Sequence, residues 1–347
     1  MILDGLASHG YDVHESNAPL GFSTAERVDM LAKPSRLPRL AVRLVACWSQ
    51  LVVRSTVSRI RRRPDVVVVG YLGHFDVLLA RVLFPRTTIV LDHLIFAGTT
   101  GVDRGATGRT TGRLLSALDR LSMAAASIVV VDTVEHARRV PASASVVVVP
   151  VGADASWYAA SAGDSSPLGD GSRLSVVFYG LMTPLQGAPV IAEAVSALHG
   201  RIDVTIIGSG QDGERVDAIL RGVPAVTRVE WVPPEDLPQL VARHDVALGI
   251  FGTSEKALSV VPNKAYQSLA AGAGLVTSDT AAQRRVLGDA AEYVTPGDPA
   301  ALTSSLDRLA SDPSHVADLR SRALRAAPRF AADVVVEPLV ARLVQRT

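Results

Sequence analysis

Pro262, Asn263 and Lys264 stand together where a helix would begin, and that placement can hold an anion. Asp245 to Ile250 reads as a short buried strand, and Gly252, Thr253 and Ser254 break it. Pro262 suits the first turn of a helix running through Ala265, Leu269 and Ala270 to a stop at Gly272. The first turn of a helix presents unpaired N–H groups and a partial positive charge, so these residues make a seat for a phosphate. A strand–helix–strand unit with no ligand would carry the same signals. A second set of polar residues closes strands in the first half of the chain. His74 follows Val66 to Val69, Asp92 and His93 follow Thr88 to Leu91, and Asp132 and Thr133 follow Ile128 to Val131. Open parallel sheets bind ligands outside the carboxyl ends of their strands, so His74, Asp92 and His93 point toward one crevice.

Three further stretches have the right residue types. Gly208 to Gly213 spells GxGxxG between a strand ending at Ile207 and a helix, but no acidic residue closes a following strand to take a ribose. Its glycines are expected to permit a tight turn near a bound nucleotide. Phe178 to Gly187 forms a loop bracketed by Gly180 and Gly187, with backbone N–H groups and the Thr183 hydroxyl available to a crevice. Trp231, Val232 and Pro233 end another strand and offer an apolar rim for a flat base, although core packing of Trp231 fits equally well.

These residues must be positioned by a large α/β frame. At 347 residues the chain suggests two domains, each able to bury a core. The formal net charge of +1 gives no reason to expect nucleic acid as partner. Cys47 is the single cysteine, which excludes an intramolecular disulfide framework and fits a reducing, cytoplasmic setting. Its apolar helical surroundings mark it as a small core residue. The longest apolar run, Leu40 to Val53, includes Arg43, Ser49 and Gln50 and is too short to span a bilayer. Within a predicted helix over 39–62, Arg39, Arg43, Arg54, Arg59, Arg61 and Arg62, with Arg63 just beyond, surround an apolar stripe. A solvated face is one reading of this helix; peripheral contact of 39–63 with an anionic membrane, at its inner face, is the other.

Residues 2–9 read as the back half of a helix and Tyr11 to Ser16 as a strand. Four β-branched strands at 66–69, 88–91, 128–131 and 146–149 then alternate with helices at 75–84, 112–126 and 133–139. Trp157 to Ser172 reads as a polar connector with little to bury. Alternation resumes with strands at 174–179, 203–207, 227–231, 245–250, 273–277 and 292–295. A last helix runs to about Gln345 and is expected to fold back. The organisation expected is an N-terminal domain 1–157, a linker 158–172, a C-terminal domain 173–330 and a C-terminal helix 331–347.

Taken together, the Gly-bracketed loop at 180–187, IIGSGQDGERV, WVPPEDLPQL and above all VPNKAYQSLAAGAGLVTSDT resemble retaining glycosyltransferases of the GT-B fold, most of all glycosyltransferase family 4. YLGHFDVLLAR and LDHLIFAGTTGVDRG add to the resemblance in the first half. It implies an α/β protein of two doubly wound Rossmann-like domains (GT-B) facing across a cleft, with the C-terminal helix returning to the first domain. It implies a hexosyltransferase-like enzyme that uses a nucleotide-diphosphate sugar and needs neither cofactor nor metal. The acceptor would be a glycan, a lipid-linked sugar or a small molecule on the first domain. By the same resemblance the nucleobase lies by Trp231, Val232 and Pro233, and the diphosphate against Gly180, Pro262, Asn263 and Lys264. Lys256 is a further cation for it, Gln267 falls at the ribose, and His74 and His93 contact acceptor or sugar.

The chain departs from the family at three places. Gln267 stands where many members have a glutamate, Leu181 to Gln186 lacks the Arg and Lys that members carry there, and no strand precedes the first helix. The last departure predicts that the sequence starts late. All three keep open a catalytically silent GT-B protein that binds a sugar nucleotide or a partner, and a sugar-nucleotide epimerase is a further alternative.

Overall fold

The computed structural model describes residues 1–19, 21, 37–61, 63–97, 109–162 and 172–346. The short valine-rich runs have no polar face, so both of their sides must be covered by helices. In the first half these runs are β1 (Val66–Val69), β2 (Thr88–Asp92), β3 (Ile128–Val131) and β4 (Val146–Val148), parallel and paired in chain order. Around them lie α1 (Ile2–Ser8), α2 (Leu37–Arg61), α3 (Asp76–Leu83), α4 (Arg109–Ala125) and α5 (Val134–Ala137). Alternate residues face opposite layers. Val69, Ile89 and Leu91 pack on Val77 and Ala80 of α3, and Val129 and Val131 on Met123 of α4. Val90, Ile128, Val130 and Val147 face the other way, into a core shared with Leu6 of α1 and the chain's C-terminal segment.

After α6 (Ala155–Ala162), the second half runs β5 (Ser175–Tyr179), α7 (Ala188–Ala197), β6 (Asp203–Ile207), α8 (Gly213–Ile219), β7 (Val226–Val229), α9 (Leu237–Ala242) and β8 (Val246–Leu248). It continues through α10 (Glu255–Ser259), α11 (Asn263–Ala270), β9 (Gly274–Ser278), α12 (Ala281–Leu287), β10 (Ala291–Val294), α13 (Pro299–Ser311) and α14 (Pro313–Ala326). The strands form one parallel sheet in the order β10-β9-β8-β5-β6-β7. The order reverses between β5 and β8, which pair through Val176 with Val246 and Val177 with Ala247. Loops leaving two adjacent strands in opposite directions open a crevice at such a point. The first strand and the PNK helix of the sequence reading therefore meet there.

The expected C-terminal return takes place, but in pieces: a 3₁₀ turn (Ala327–Phe330), α15 (Ala332–Val335) and α16 (Glu337–Val344). Arg342 donates to Ser145 Oγ beside β4, and Leu339 and Leu343 enter the first domain's core. The two halves also touch directly. Thr133 Oγ1 donates to the Ser259 carbonyl at 3.1 Å, Arg139 pairs with Glu255 at 2.6 Å, and Arg285 pairs with Glu135.

Three expectations need correction. Tyr11 to Ser16 forms no strand; the Tyr11 amide bonds back to the Leu6 carbonyl, and Tyr11 and Val13 pack on the core outside any regular element. The stretch from Trp157 is not an idle connector at its start. It lies within α6, where Trp157 is buried and stacked on Tyr179 at 5.9 Å between ring centroids, and Tyr158 bonds the Ala327 carbonyl. Residues 163–171 of the expected linker lie outside the described residues. The loop expected after Ile250 contains α10, capped by Ser254 Oγ, which accepts from the Ala257 amide.

Candidate functional site

At the switch point, β5 ends in Gly180 with φ +142°, a backbone conformation that side chains disfavour. Close approach explains the glycines that follow β6. A Cβ on Gly208 would meet the Gly180 carbonyl at 2.0 Å, and one on Gly210 would meet the Met182 carbonyl at 2.8 Å. The Met182 amide donates to Ser209 and the Asp212 amide to Met182. The GxGxxG therefore clamps the 180–182 loop in place, which accounts for its glycines without a dinucleotide. On the other side of the crevice, the Phe251 amide donates to the Gln186 carbonyl at 3.0 Å, fixing the loop from β5 against the chain leaving β8.

α11 begins at this junction. Its N-cap, Pro262, supplies no side-chain cap, and its second residue, Lys264, turns inward. Lys264 Nζ donates to Gln186 Oε1 at 2.6 Å and lies 3.8 Å from the centre of the Phe178 ring, beside Gly180. A cation over an aromatic face is attracted by the ring's quadrupole. Burial nevertheless pushes the Lys264 ammonium well below the usual lysine range. Tyr179 and Ser268 hydroxyls both donate to the Lys264 carbonyl, fastening the start of the helix to β5.

The other expected donor residues are spread around this point. Asn263 is exposed, and Pro262 and Gln267 are half-buried. Trp231 follows β7 at the sheet's outer edge and is 69% exposed, so it is not a core residue; Val232 packs inward. Lys256 sits on α10, half-buried, on the helix whose Glu255 and Ser259 meet the first domain. The structure thus gathers Gly180, Pro262, Asn263 and Lys264 at one crevice, with Lys256 on a separate helix and Trp231 at the far edge strand.

In the first domain His74 and His93 do meet, with ring centroids 5.0 Å apart. Both are buried, at 7% and 2% exposure, so they form wall rather than projecting into a crevice. Between them stands Asp119 of α4, whose Oδ1 lies 3.0 Å from His74 Nε2 and 3.8 Å from His93 Nε2. The Ala97 amide also donates to Asp119 Oδ1, at 2.9 Å. Burial, then the neighbouring His74, lowers His93 to about 4, so its imidazole is neutral at pH 7. Asp92 is raised to about 6 by burial and by Asp132, which itself holds His136 Nδ1 at 2.5 Å. Asp119 escaped the sequence reading, and Phe178 and Gln186 enter it only as bounds of a loop, not as partners of Lys264. Asp119 lies in mid-helix 45 residues from His74, and nothing local marks such a residue as a partner.

Two parallel-sheet domains facing across a crevice, with a loop and a helix start converging at the second sheet's switch point, make up the GT-B fold of glycosyltransferases. Residues 173–312, which carry the second sheet and this crevice, match the family model described as Glycosyl transferases group 1. No curated protein sequence matches the chain. Similar solved structures include sucrose-phosphate synthase from Thermosynechococcus elongatus, with TM-score 0.67 and 14% identity over 88% of this chain and 80% of that one. Anabaena HepE in complex with UDP and glucose has TM-score 0.64 and 14% identity over 86% and 82%. A UDP-forming trehalose-phosphate synthase from Burkholderia xenovorans has TM-score 0.62 and 14% identity over 87% and 79%. At these identities the likeness is one of fold.

Proposed function

We propose that this chain is a retaining, family 4-like glycosyltransferase that moves a hexose from a nucleotide-diphosphate sugar to an acceptor hydroxyl. The observation that carries the reading is the Lys264 side chain, set beside Gly180 behind the first turn of an uncapped helix at the switch point of the second sheet. A diphosphate there would meet the N–H groups of Asn263 and Lys264, the helix dipole and the buried amine of Lys264. It would draw Lys264 from Gln186 and favour the charged form of its amine, so charge would be supplied where the leaving group needs it. Gln267, one turn on, is placed for the ribose and Trp231 with Val232 for the base. Lys256 on α10 would add charge from the interdomain side. HepE holds UDP and glucose in a fold of this kind, which makes UDP-glucose the first donor to try.

In the transfer, the bond between the sugar's anomeric carbon and the diphosphate oxygen breaks, and its electron pair leaves on that oxygen. The acceptor oxygen bonds the same face, and its proton passes to the departing phosphate. Catalysis would rest on positioning and on stabilising phosphate charge by Lys264 and the helix start. His74 and His93, buried in the first domain, would shape the sugar-side wall, with neutral His93 as a hydrogen-bonding rather than charged group. The acceptor, a glycan, a lipid-linked sugar or a small molecule, would sit on this side. α2 exposes Val42, Val45, Val53 and Val57 near Arg43 and Arg54, which supports peripheral contact with an anionic membrane at its cytoplasmic face. No helix among the described residues is long and apolar enough to cross one.

The test is incubation of the full chain with UDP-, GDP-, ADP- and TDP-sugars, with and without candidate acceptors. Release of the nucleoside diphosphate that rises with acceptor supports transfer. Binding without any turnover would favour the silent protein, and an interconverted sugar nucleotide without acceptor would favour an epimerase.

A further inference from the structure

We propose that His74, His93 and Asp119 form a binding site for a divalent first-row transition ion of the zinc class. One ring nitrogen of each histidine and a carboxylate oxygen of Asp119 all lie within 4.8 Å of one another, and all three residues are buried. They come from three separate places: the loop after β1, the end of β2, and the middle of α4. The fold, rather than helical spacing, brings them together.

Proton accounting leaves the cluster incomplete. Asp119 Oδ1 accepts from the Ala97 amide and, with His74 protonated on Nε2, from His74 as well. His93 Nε2 is buried and has no hydrogen-bond partner. Protonated, it would stand 3.8 Å from the carboxylate, too far to bond; unprotonated, it would turn a lone pair toward an anion. One divalent cation resolves both states. It takes the place of the Nε2 proton of His74, which moves to Nδ1 in the other neutral tautomer, and gives the His93 lone pair a partner.

The dimensions suit it. Bonds of about 2.0–2.2 Å in a tetrahedral site place ligand atoms about 3.3–3.6 Å apart; the two histidine–carboxylate separations, 3.0 and 3.8 Å, bracket that range, and the ring nitrogens lie within 4.8 Å of each other. Two imidazoles with one carboxylate select zinc and its neighbours over magnesium or calcium, which require oxygen ligands. The Ala97 amide would orient the ligating carboxylate, and the edge-on Phe96 ring, 4.7 Å from that of His93, would fix the imidazole plane. Three protein ligands leave a position for water. The ion would tie the ends of β1 and β2 to α4, independently of whether the chain transfers sugars.

The full chain, dialysed against chelator, is titrated with Co²⁺ and Zn²⁺. Expected are one equivalent bound, a visible Co²⁺ absorption band of a low-coordinate nitrogen and oxygen site, and a Tm raised by several degrees, with Mg²⁺ giving neither. His93→Gln and Asp119→Asn, checked for folding by circular dichroism, should lose the band and bind at least tenfold more weakly, whereas the exposed His14→Gln should bind like wild type. A folded wild-type protein with no band and no Tm change at equimolar Co²⁺ would overturn the proposal. So would folded His93→Gln and Asp119→Asn variants that bind as wild type does.

Discussion

Lys264 donates a 2.6 Å hydrogen bond to Gln186, 78 residues earlier, and the bond spans the point where the second sheet changes direction. One partner lies on the first turn of α11 and the other in the loop leaving β5. A buried amine at a helix start, held by a neutral amide over an aromatic ring, is placed to supply charge where an anion is expected.

The buried amine has a pH signature. Burial lowers Lys264 in the folded protein, so between its folded and its usual value the unfolded chain binds more protons, and stability rises with pH. Lys264→Met keeps the length and removes the titration. The variant should be more stable than wild type near neutral pH, with the gap closing as pH climbs into the usual lysine range. Thermal melts of both proteins across pH check this; a gap that is flat or widens with pH contradicts it.

Gly208→Ala should destabilise the protein by more than about 1 kcal/mol, because the added carbon would sit 2.0 Å from the Gly180 carbonyl at φ +127°. Its displacement of the Gly180 loop should also weaken nucleotide binding. Urea unfolding and calorimetric titration separate the two effects. Unchanged binding in a destabilised but folded variant would show that this turn does not shape the phosphate seat.

Trp231 is exposed enough that Trp231→Ala should leave stability within about 0.5 kcal/mol. If the ring stacks on the base, nucleotide affinity should fall about tenfold, the effect of losing one stacked aromatic. Equal affinity in titrations of both proteins would remove Trp231 from the site.

Trp157→Ala makes the opposite prediction. Trp157 is 4% exposed and lies on Tyr179, so its loss should cost about 3–5 kcal/mol. Denaturant unfolding measures this, and a change under about 1 kcal/mol would return α6 to the role of a loose connector.

The periodicity of the chain disclosed every strand of the described residues, because valine runs bounded by Gly, Pro and Asp leave little other choice. That Gly180 meets Pro262 and Lys264 is implied by the family resemblance, while the strand order that makes this a switch point is not written in local pattern. Three further features could not be read there. Tyr11 to Ser16 alternates like a strand, and only the absence of a pairing partner among the described residues decides otherwise. Trp157 looks like the start of a polar tract until Tyr179, 22 residues later, covers it. His74 and His93 read as crevice residues, but Asp119 of α4 draws them into the wall. Each depends on a contact distant in sequence, where local pattern carries no information.

The central claim is that the switch-point crevice holds a nucleoside diphosphate on Lys264. Calorimetric titration of UDP, GDP, ADP and TDP into wild type and Lys264→Met tests it most directly, in two mildly alkaline buffers of different ionisation enthalpy. At least one nucleotide should bind wild type one-to-one with net proton uptake, and the folded variant should bind it at least tenfold more weakly with that uptake gone. Equal affinity in the variant, or no binding of any of the four to wild type, would contradict the account.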